Sequence, residues 1–442
     1  MATKGDLIEA QNFSRRRLLT AFISGAPGGK ELEPSSPMRA VIAAIALTAL
    51  VVLVGLFYGF IKPGLPSGWE NGKLILVSDT GARFVTVDGV LHPVINTASA
   101  RLLLPSAEFD VLSTEQQNLE GTRIGDTLGI VGAPDELPAP DRLSNTGWSA
   151  CVTDDGALDV RIGGAPLARA EGRAAVVESD GNLYVIDGGR SFAVADNSDA
   201  VLRAAGITSL DPVTVPTDWL NLFTPGTPLG PLVVDGAGGS VEGTDLPVGT
   251  VVHQTGAPDT ERLLVQSDGT LAALTPLAWQ LYLLGSGSGS GEPVDVTTAE
   301  TAALDTAARP AGGEDWPDEG FQSIATDQRA CAALVSGDGQ ATTALATQDA
   351  STGVTAGVNV EPGSGALVRA GGRGVQNTGI VTLVDATGRA YPLPGATEET
   401  VLRLGYTADS VGAVSDGWTE LLPTGPALSE AAAGLPPTAE AP

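Results

Sequence analysis

Two histidines, two cysteines, one glycine-rich loop and 52 carboxylates are the residues of this chain with chemistry to offer. His92 and His253 could ligate a metal or move a proton, but neither has a partner at ligand spacing. Both sit in stretches that read as strands, where a hydrogen-bonded structural histidine is expected. Gly25-Ala26-Pro27-Gly28-Gly29-Lys30 resembles a phosphate-binding loop. A working one needs glycine at 24 and a hydroxyl at 31, because backbone amides and that hydroxyl cradle phosphate and magnesium. Here those positions hold Ser24 and Glu31, no strand precedes them, and the carboxylate would repel phosphate. No Gly-x-Ser-x-Gly elbow occurs, so a serine hydrolase lacks its signature. Carboxylate pairs such as Asp154-Asp155 arise on any surface this acidic. The expectation is no catalytic centre, no cofactor and no metal.

The cysteines, Cys151 and Cys331, are better placed for structure than for reaction, since no histidine lies near either in sequence. In an oxidising compartment a lone pair in one domain most simply forms a disulfide, two buried thiols being the alternative. On the chain-entropy model a loop this long would stabilise the fold by up to ~5 kcal/mol.

The elements that carry these residues fall into blocks. Between Arg39 and Lys62 no charged residue appears. As a helix, residues 40–61 rise about 33 Å, close to the thickness of a bilayer's hydrocarbon. They read as one transmembrane helix. Residues 1–39 carry six basic and four acidic side chains, a net of +2 that leaves about −30 for the rest of a chain whose total is −28. Basic flanks mark the cytoplasmic side, so the N-terminus is expected inside and the acidic bulk, residues 62–428, outside in the periplasm. Ser14-Arg15-Arg16-Arg17-Leu18-Leu19 resembles a twin-arginine signal. The apolar span begins some twenty residues later and ends at Ile61-Lys62-Pro63-Gly64 with no clear small-residue cleavage site, which favours an uncleaved anchor. A surface so acidic repels phosphate backbones, which argues against nucleic acid as a partner. Abundant glycine (57) and proline (30) with scarce aromatics suit short strands and many turns.

Four related segments run through residues 62–428. They begin at Val77, Val177, Val265 and Val384, and each places glycine four residues on, at Gly81, Gly181, Gly269 and Gly388. An aromatic follows three residues later in three of them: Phe84, Tyr184 and Tyr391. Apolar residues around a small polar turn predict paired strands, with glycine supplying the positive φ of the loop. Short helices follow at Thr97–Leu104, Ser198–Ala205, Thr275–Leu284 and Thr397–Leu404, three of them closed by glycine. A second echo, Trp219 to Leu229 and Trp418 to Leu428, orders the repeats into two halves with one cysteine each. The expected fold is therefore a single transmembrane helix plus a mainly-β (α+β) extracytoplasmic region: four strand-strand-helix repeats around a central β domain, pseudo-twofold, tied by the disulfide. Gly285 to Gly291 reads as a flexible loop and residues 429–442 as a disordered tail.

With this architecture in hand, the stretch Asp88-Gly89-Val90-Leu91-His92-Pro93-Val94-Ile95-Asn96-Thr97-Ala98-Ser99-Ala100-Arg101-Leu102 resembles the hallmark of the EccB family, the membrane subunit of actinobacterial type VII (ESX) secretion systems. The basic tail, the single span, Gly132-Ala133-Pro134, the cysteine pair and Gly425-Pro426-Ala427-Leu428-Ser429 fall in that family's order. The resemblance implies a structural subunit of a plasma-membrane secretion complex, with EccC, EccD and EccE as partners and copies of itself as neighbours. Family members are sometimes labelled ATPases, a minor alternative for which this sequence offers no nucleotide motif. A second alternative is a peptidoglycan-binding module, motivated by the aromatics Phe84, Tyr184 and Tyr391.

Overall fold

The computed structural model describes residues 3–24, 37–60, 65–196, 198–207, 212–302, 304–337, 340–372 and 378–437. The chain divides into two compact units between Gly64 and Leu65.

The first unit holds two helices, α1 (Lys4–Ser24) and α2 (Pro37–Phe60). Helix α2 covers the span expected at 40–61 except Ile61, which lies outside the described residues, as does the loop Gly25–Lys30. Proline at its first position is pre-set for helix. Inside it, Thr48 donates its hydroxyl to the Ala44 carbonyl at 2.8 Å, so the helix carries its polar group satisfied. Met38–Leu56 is long and apolar enough to cross a membrane and is exposed along its length.

The second unit is built from one motif used four times. In repeat one, β1 (Lys73–Val77), β2 (Arg83–Val87) and β3 (Val90–Pro93) form an antiparallel meander. Helix α3 (Thr97–Leu103) follows, and then β4 (Asp110–Thr114) and β5 (Arg123–Ile124) return parallel to β1 and β3. The order is therefore β4-β1-β2-β3-β5. The strand-strand-helix expectation saw only part of this unit. A third meander strand and two parallel edge strands complete it: β5 is only two residues long and β4 is mostly exposed, so neither leaves an alternating apolar pattern. Asp88 and Gly89 both take positive φ, 48° and 73°, giving the two-residue turn whose twist matches a hairpin.

Between repeats one and two run β6 (Ser149–Val152), β7 (Leu158–Ile162) and β8 (Ala168–Arg169). Repeat two then has β9 (Ala174–Ser179), β10 (Asn182–Asp187), β11 (Arg190–Ala193), α4 (Ser198–Ala204), β12 (Val213–Thr214), a short α5 (Thr217–Leu220) and β13 (Thr224–Pro225). Repeat three has β14 (Val251–Gln254), β15 (Arg262–Val265), β16 (Thr270–Leu274), α6 (Pro276–Leu284), β17 (Val294–Val296) and β18 (Asp305–Thr306). Next come β19 (Gln328–Gly337), β20 (Gln340–Asp349) and β21 (Gly357–Val360). Repeat four closes with β22 (Ala366–Gly371), β23 (Ile380–Val384), β24 (Ala390–Leu393), α7 (Glu398–Arg403), β25 (Gly412–Ser415) and α8 (Asp416–Glu420). Repeats two and three keep the strand order of repeat one. Repeat four keeps its first four strands and replaces the fifth by a parallel bridge from Ala390 to Thr424.

The six strands left over form one central sheet, β21-β7-β6-β19-β20-β8. Exchanging β6–β8 for β19–β21 maps this order onto itself. Each half lays a hairpin beside the other's and sends its third strand to the far edge of the opposite hairpin. The middle is thus assembled from both halves.

Two expectations are corrected here. Gly285 to Gly291 is ordered. Ser286 and Gly287 donate their backbone N–H groups to Leu232 and Tyr282, and the Ser286 hydroxyl accepts from the Val234 N–H. Two of its glycines serve close approach: a Cβ on Gly285 would stand 2.1 Å from the Leu232 carbonyl oxygen, and one on Gly287 2.5 Å from the Tyr282 ring. The tail after Leu428 carries a capped helix, α9 (Glu430–Ala433), with the Ser429 hydroxyl accepting from the Ala432 N–H and Ala433 fully buried. Residues 438–442 lie outside the described residues.

Candidate functional site

The central sheet puts Cys151 on β6 directly opposite Cys331 on β19, and they form a disulfide with Cα atoms 4.1 Å apart. It is buried among Ala333, Ala346 and the part-buried Leu167 and Val354. A position in register on two adjacent antiparallel strands leaves the pair nothing else to bond. No free thiol remains.

Beside it, one core gathers Trp148, Trp219 and Trp418 with strands from both halves. Trp219 and Trp418 are the first residues of the two echoing segments, and both are fully buried. Trp148 meets Trp418 edge-on at 6.3 Å, and Trp219 packs on Phe223 at 4.9 Å, arrangements that ring quadrupoles favour. Each indole N–H finds an acceptor: Ser144 O for Trp148, Ala150 O for Trp219, Thr343 Oγ1 for Trp418. Burial of three indoles without an orphaned donor makes this hub stiff.

The repeat-turn residues Gly81, Gly181, Gly269 and Gly388 all take positive φ, between 73° and 81°. Gly388 also meets the hub sheet, because a Cβ there would fall 2.4 Å from Val358 of β21. The aromatics that follow these turns point inward. Phe84 and Tyr391 are buried, Tyr184 is half-buried against the hub core, and the Tyr391 hydroxyl donates to Asp385 at 2.9 Å. Burial, together with the bond and charge of Asp385, pushes the Tyr391 phenol up. These rings are core residues, so the observation behind a wall-binding surface is withdrawn.

The stretch that carried the family resemblance turns out to be a clasp. Asn96 caps α3 by accepting from the Ser99 N–H, and its amide donates to Ile130 O. Ser99 accepts from the Ile130 N–H, and Ala98 donates to Pro134 O, which fixes Gly132-Ala133-Pro134 against α3. Pro426 of the C-terminal motif lies within van der Waals reach of Gly132. Repeat four then bonds to repeat one. Arg403 donates to Leu102 O at 2.8 Å and pairs with Glu399 and Glu430, while Glu399 accepts from the Ser106 N–H and hydroxyl. The Gly129 N–H reaches Leu435 O beyond α9. Sequence reasoning missed Glu399, Arg403 and Glu430, which sit on ordinary helix faces; Glu399 and Arg403 have partners 293 and 301 residues away, and Glu430 bonds Arg403 and Thr400.

Arg101 is half-buried at this junction over the Phe109 ring, 4.1 Å from its centroid, with its Nε lacking a hydrogen-bond partner among the described residues. Burial draws its guanidinium below the ordinary value. The histidines hold local bonds. His92 Nδ1 lies 3.1 Å from Asp126 O, and His253 bonds Asp295 and Ala257 O. Among the described residues no three His, Cys, Asp or Glu side chains converge as a metal site.

A cleft of about 780 Å³ opens beside the hub and is lined by Thr153, Asp154, Asp155, Thr214, Gln328 and Arg329. Its one arginine is already paired with Asp154 and bonded to Ala350 O and Thr352 O.

Comparison with known proteins gives this architecture its relatives. The chain is 29% identical over 300 residues to the ESX-5 secretion system ATPase EccB5 of Mycobacterium marinum, a match covering 62% of this chain and 58% of that one. It is 34% identical over 125 residues to EccB5 of Mycobacterium tuberculosis, covering 28% and 24%. The matches thus span 58% and 24% of the length of these two relatives. Among solved structures it superposes on a chain of an intact ESX-5 inner membrane complex with a TM-score of 0.65 at 21% identity, covering 100% of this chain and 98% of that one. It superposes on the EccB3 dimer from the ESX-3 core complex with a TM-score of 0.66 at 22% identity, covering 82% and 99%. These likenesses show a shared fold. A family model described as type VII secretion system ESX-1, transport TM domain B, matches residues 1–438, and the chain belongs to that family, EccB.

Proposed function

We propose that this chain is a structural subunit of a type VII secretion complex in the plasma membrane. It is anchored by α2 with its N-terminus in the cytoplasm and holds its β region in the periplasm as a rigid scaffold for assembly. The observation that carries the reading is the construction of the hub: both halves interleave in one sheet, are cross-linked at Cys151–Cys331 and are plugged by three tryptophans. Such a centre resists deformation and presents no reactive group, which suits a part that aligns others. The basic flank of α2 supports the orientation.

Its partners on this reading are EccC, EccD and EccE together with further copies of itself. Purification of the tagged chain from native membranes in mild detergent is expected to bring these subunits with it. Recovery of the chain as a lone monomer would overturn the reading.

Although the relatives carry ATPase in their names, the reading is non-enzymatic. A triphosphate in the described cleft would face Asp154 and Asp155, and the single arginine there is already engaged. ATP turnover by pure chain that disappears in Arg329→Ala would refute this part.

A further inference from the structure

We propose that α1 is a membrane-surface helix that lies in the headgroup plane of an anionic leaflet. The proposal rests on the reading of α2 as a transmembrane anchor. Leu18, Leu19, Phe22 and Ile23 recur at i, i+1, i+4 and i+5 and so share one helix face. Leu7 and Ile8 stand eleven residues earlier, close to three full turns, and extend the same face toward the N-terminus. All six are exposed, Phe22 at 93% and Ile23 at 81%, which in water is an unfavourable display of apolar area. Phe13 stands apart from this face.

Charge identifies the cover. Arg15, Arg16 and Arg17 directly precede the apolar quartet, and no acidic residue occurs between Ala10 and Ser24. Arg15 sits on the apolar face itself, three and four residues before Leu18 and Leu19. There its stem lies along the apolar surface while the guanidinium reaches phosphate. Asp6 and Glu9 fall on the opposite side. An apolar face beside a basic cluster is what an anionic lipid interface binds. Only twelve residues separate Ser24 from Pro37, the first residue of α2, so the anchor keeps α1 within reach of the bilayer.

The test uses the full chain in vesicles. Its two cysteines are locked in the buried disulfide, so Phe22→Cys and Thr20→Cys each introduce one labelling site, on the apolar and opposite faces. Spin labels are read by their collisions with oxygen, which enriches in lipid, and with a water-soluble nickel chelate. In phosphatidylglycerol-containing vesicles the Phe22 label is expected to be lipid-immersed and the Thr20 label wet. In pure phosphatidylcholine both become wet. Arg15 and Arg16, on and beside the apolar face, each contribute roughly fivefold to the docked-to-undocked ratio, so changing both to Gln lowers it roughly twenty-five-fold, whereas Arg17, on the Asp6 side, contributes less. Leu19→Cys repeats the Phe22 result if the face is assigned correctly. Two wet labels in anionic vesicles overturn the proposal. So does immersion that is equal in both lipids, or a Phe22 label shielded from both collision partners, the mark of a protein cover. Extraction by alkaline carbonate separates the two readings: release of the chain from vesicles refutes the α2 anchor, whereas the label pattern judges α1.

Discussion

Repeats two and three meet through apolar helix faces, whereas repeats one and four lay charges and hydrogen bonds over an apolar cluster. At the first junction α4 and α6 bury Val201, Leu202, Leu277 and Leu281 in a core shared with Phe192 and Phe321. At the second, an apolar cluster around Leu102, Leu404 and Tyr406 is overlaid by Arg403, Glu399, Glu430 and Ser106. In the first junction Leu202 and Leu281 stand 79 residues apart in the chain. The bonded partners of the second are 293 and 301 residues apart. Joining distant segments carries a larger loop-closure entropy, and non-directional apolar contact gives little register. Directional bonds specify which surfaces of the two ends meet. One motif, used four times, is joined by burial at both junctions, and directional bonds are added where the partners lie farther apart in the chain.

The largest effect should come from removing the cross-link between the halves. Changing Cys151 and Cys331 together to alanine is expected to cost about 2–5 kcal/mol in the full chain, followed by thermal unfolding in detergent. Hydrogen exchange should rise at both junctions, because the hub supports both. A rise at one junction alone would mean that the halves do not share the hub.

Leu281→Ala tests the apolar junction. Leu281 is fully buried, so a cavity there is expected to cost about 2–5 kcal/mol and to raise exchange in α4 and α6 but not in α3 or α7. Salt should leave the loss unchanged. Arg403→Ala tests the polar junction and removes the donor to the Leu102 carbonyl and the ion-pair partner of two carboxylates, which keep their bonds to Ser106 and Thr400. Because Glu399 and Glu430 are partly exposed, at 42% and 41%, the loss is expected near ~1–2 kcal/mol and should shrink in high salt. Equal salt dependence of the two variants would erase the distinction.

Acid should separate the junctions without any mutation. Hydrogen bonds from the Ser106 N–H and hydroxyl, then the bond and charge of Arg403, hold the Glu399 carboxyl below its ordinary value of 4.5. A lowered pKa contributes stability that is present above the unfolded value and lost as pH falls through the folded one. Protection of the α3 and α7 amides, corrected for intrinsic exchange, should therefore fall below about pH 4.5. That of α4 and α6 should hold.

Much of the repeat was legible in the sequence because glycine and valine at fixed spacing encode a hairpin locally. The caps Thr275 and Thr397 and the closing Gly285 mark their helices for the same reason. What escaped was whatever depends on contact over distance. Strands β12, β13 and β18 are two residues long and exist only because a neighbouring edge accepts them. Tyr184 reads as a surface aromatic until its pairing with Val177 turns it toward the hub. The Gly/Ser run reads as slack because composition cannot show that Leu232 and Tyr282 press on it. Within the site, the cysteines and both echoing tryptophans were visible as residue types. The clasp residues Arg403 and Glu399 look like any helix-surface pair until Leu102 and Ser106 arrive.

The smallest effect sharpens the same contrast from inside one repeat. His253 on β14 lies with Nδ1 2.9 Å from Asp295 of β17 and Nε2 3.2 Å from the Ala257 carbonyl. Both neighbours are acceptors, and a neutral imidazole donates only one proton, so the imidazolium satisfies both. The Asp295 hydrogen bond, outweighing burial, raises the His253 pKa above its ordinary 6.5. A raised histidine pKa contributes stability that is complete below the unfolded value and fades as pH rises through the folded one. Asp295 is 80% exposed, so solvent screens the pair and the effect on global stability is small. Proton NMR of the full chain should find His253 titrating above 6.5 and Asp295→Asn returning it toward that value. Between pH 6 and 8 the β14–β17 edge of repeat three should loosen while the Leu202–Leu281 packing stays fixed, since no titrating group lies in that packing. Loosening of α4 and α6 over the same range would show that the apolar junction is not independent of the charges around it.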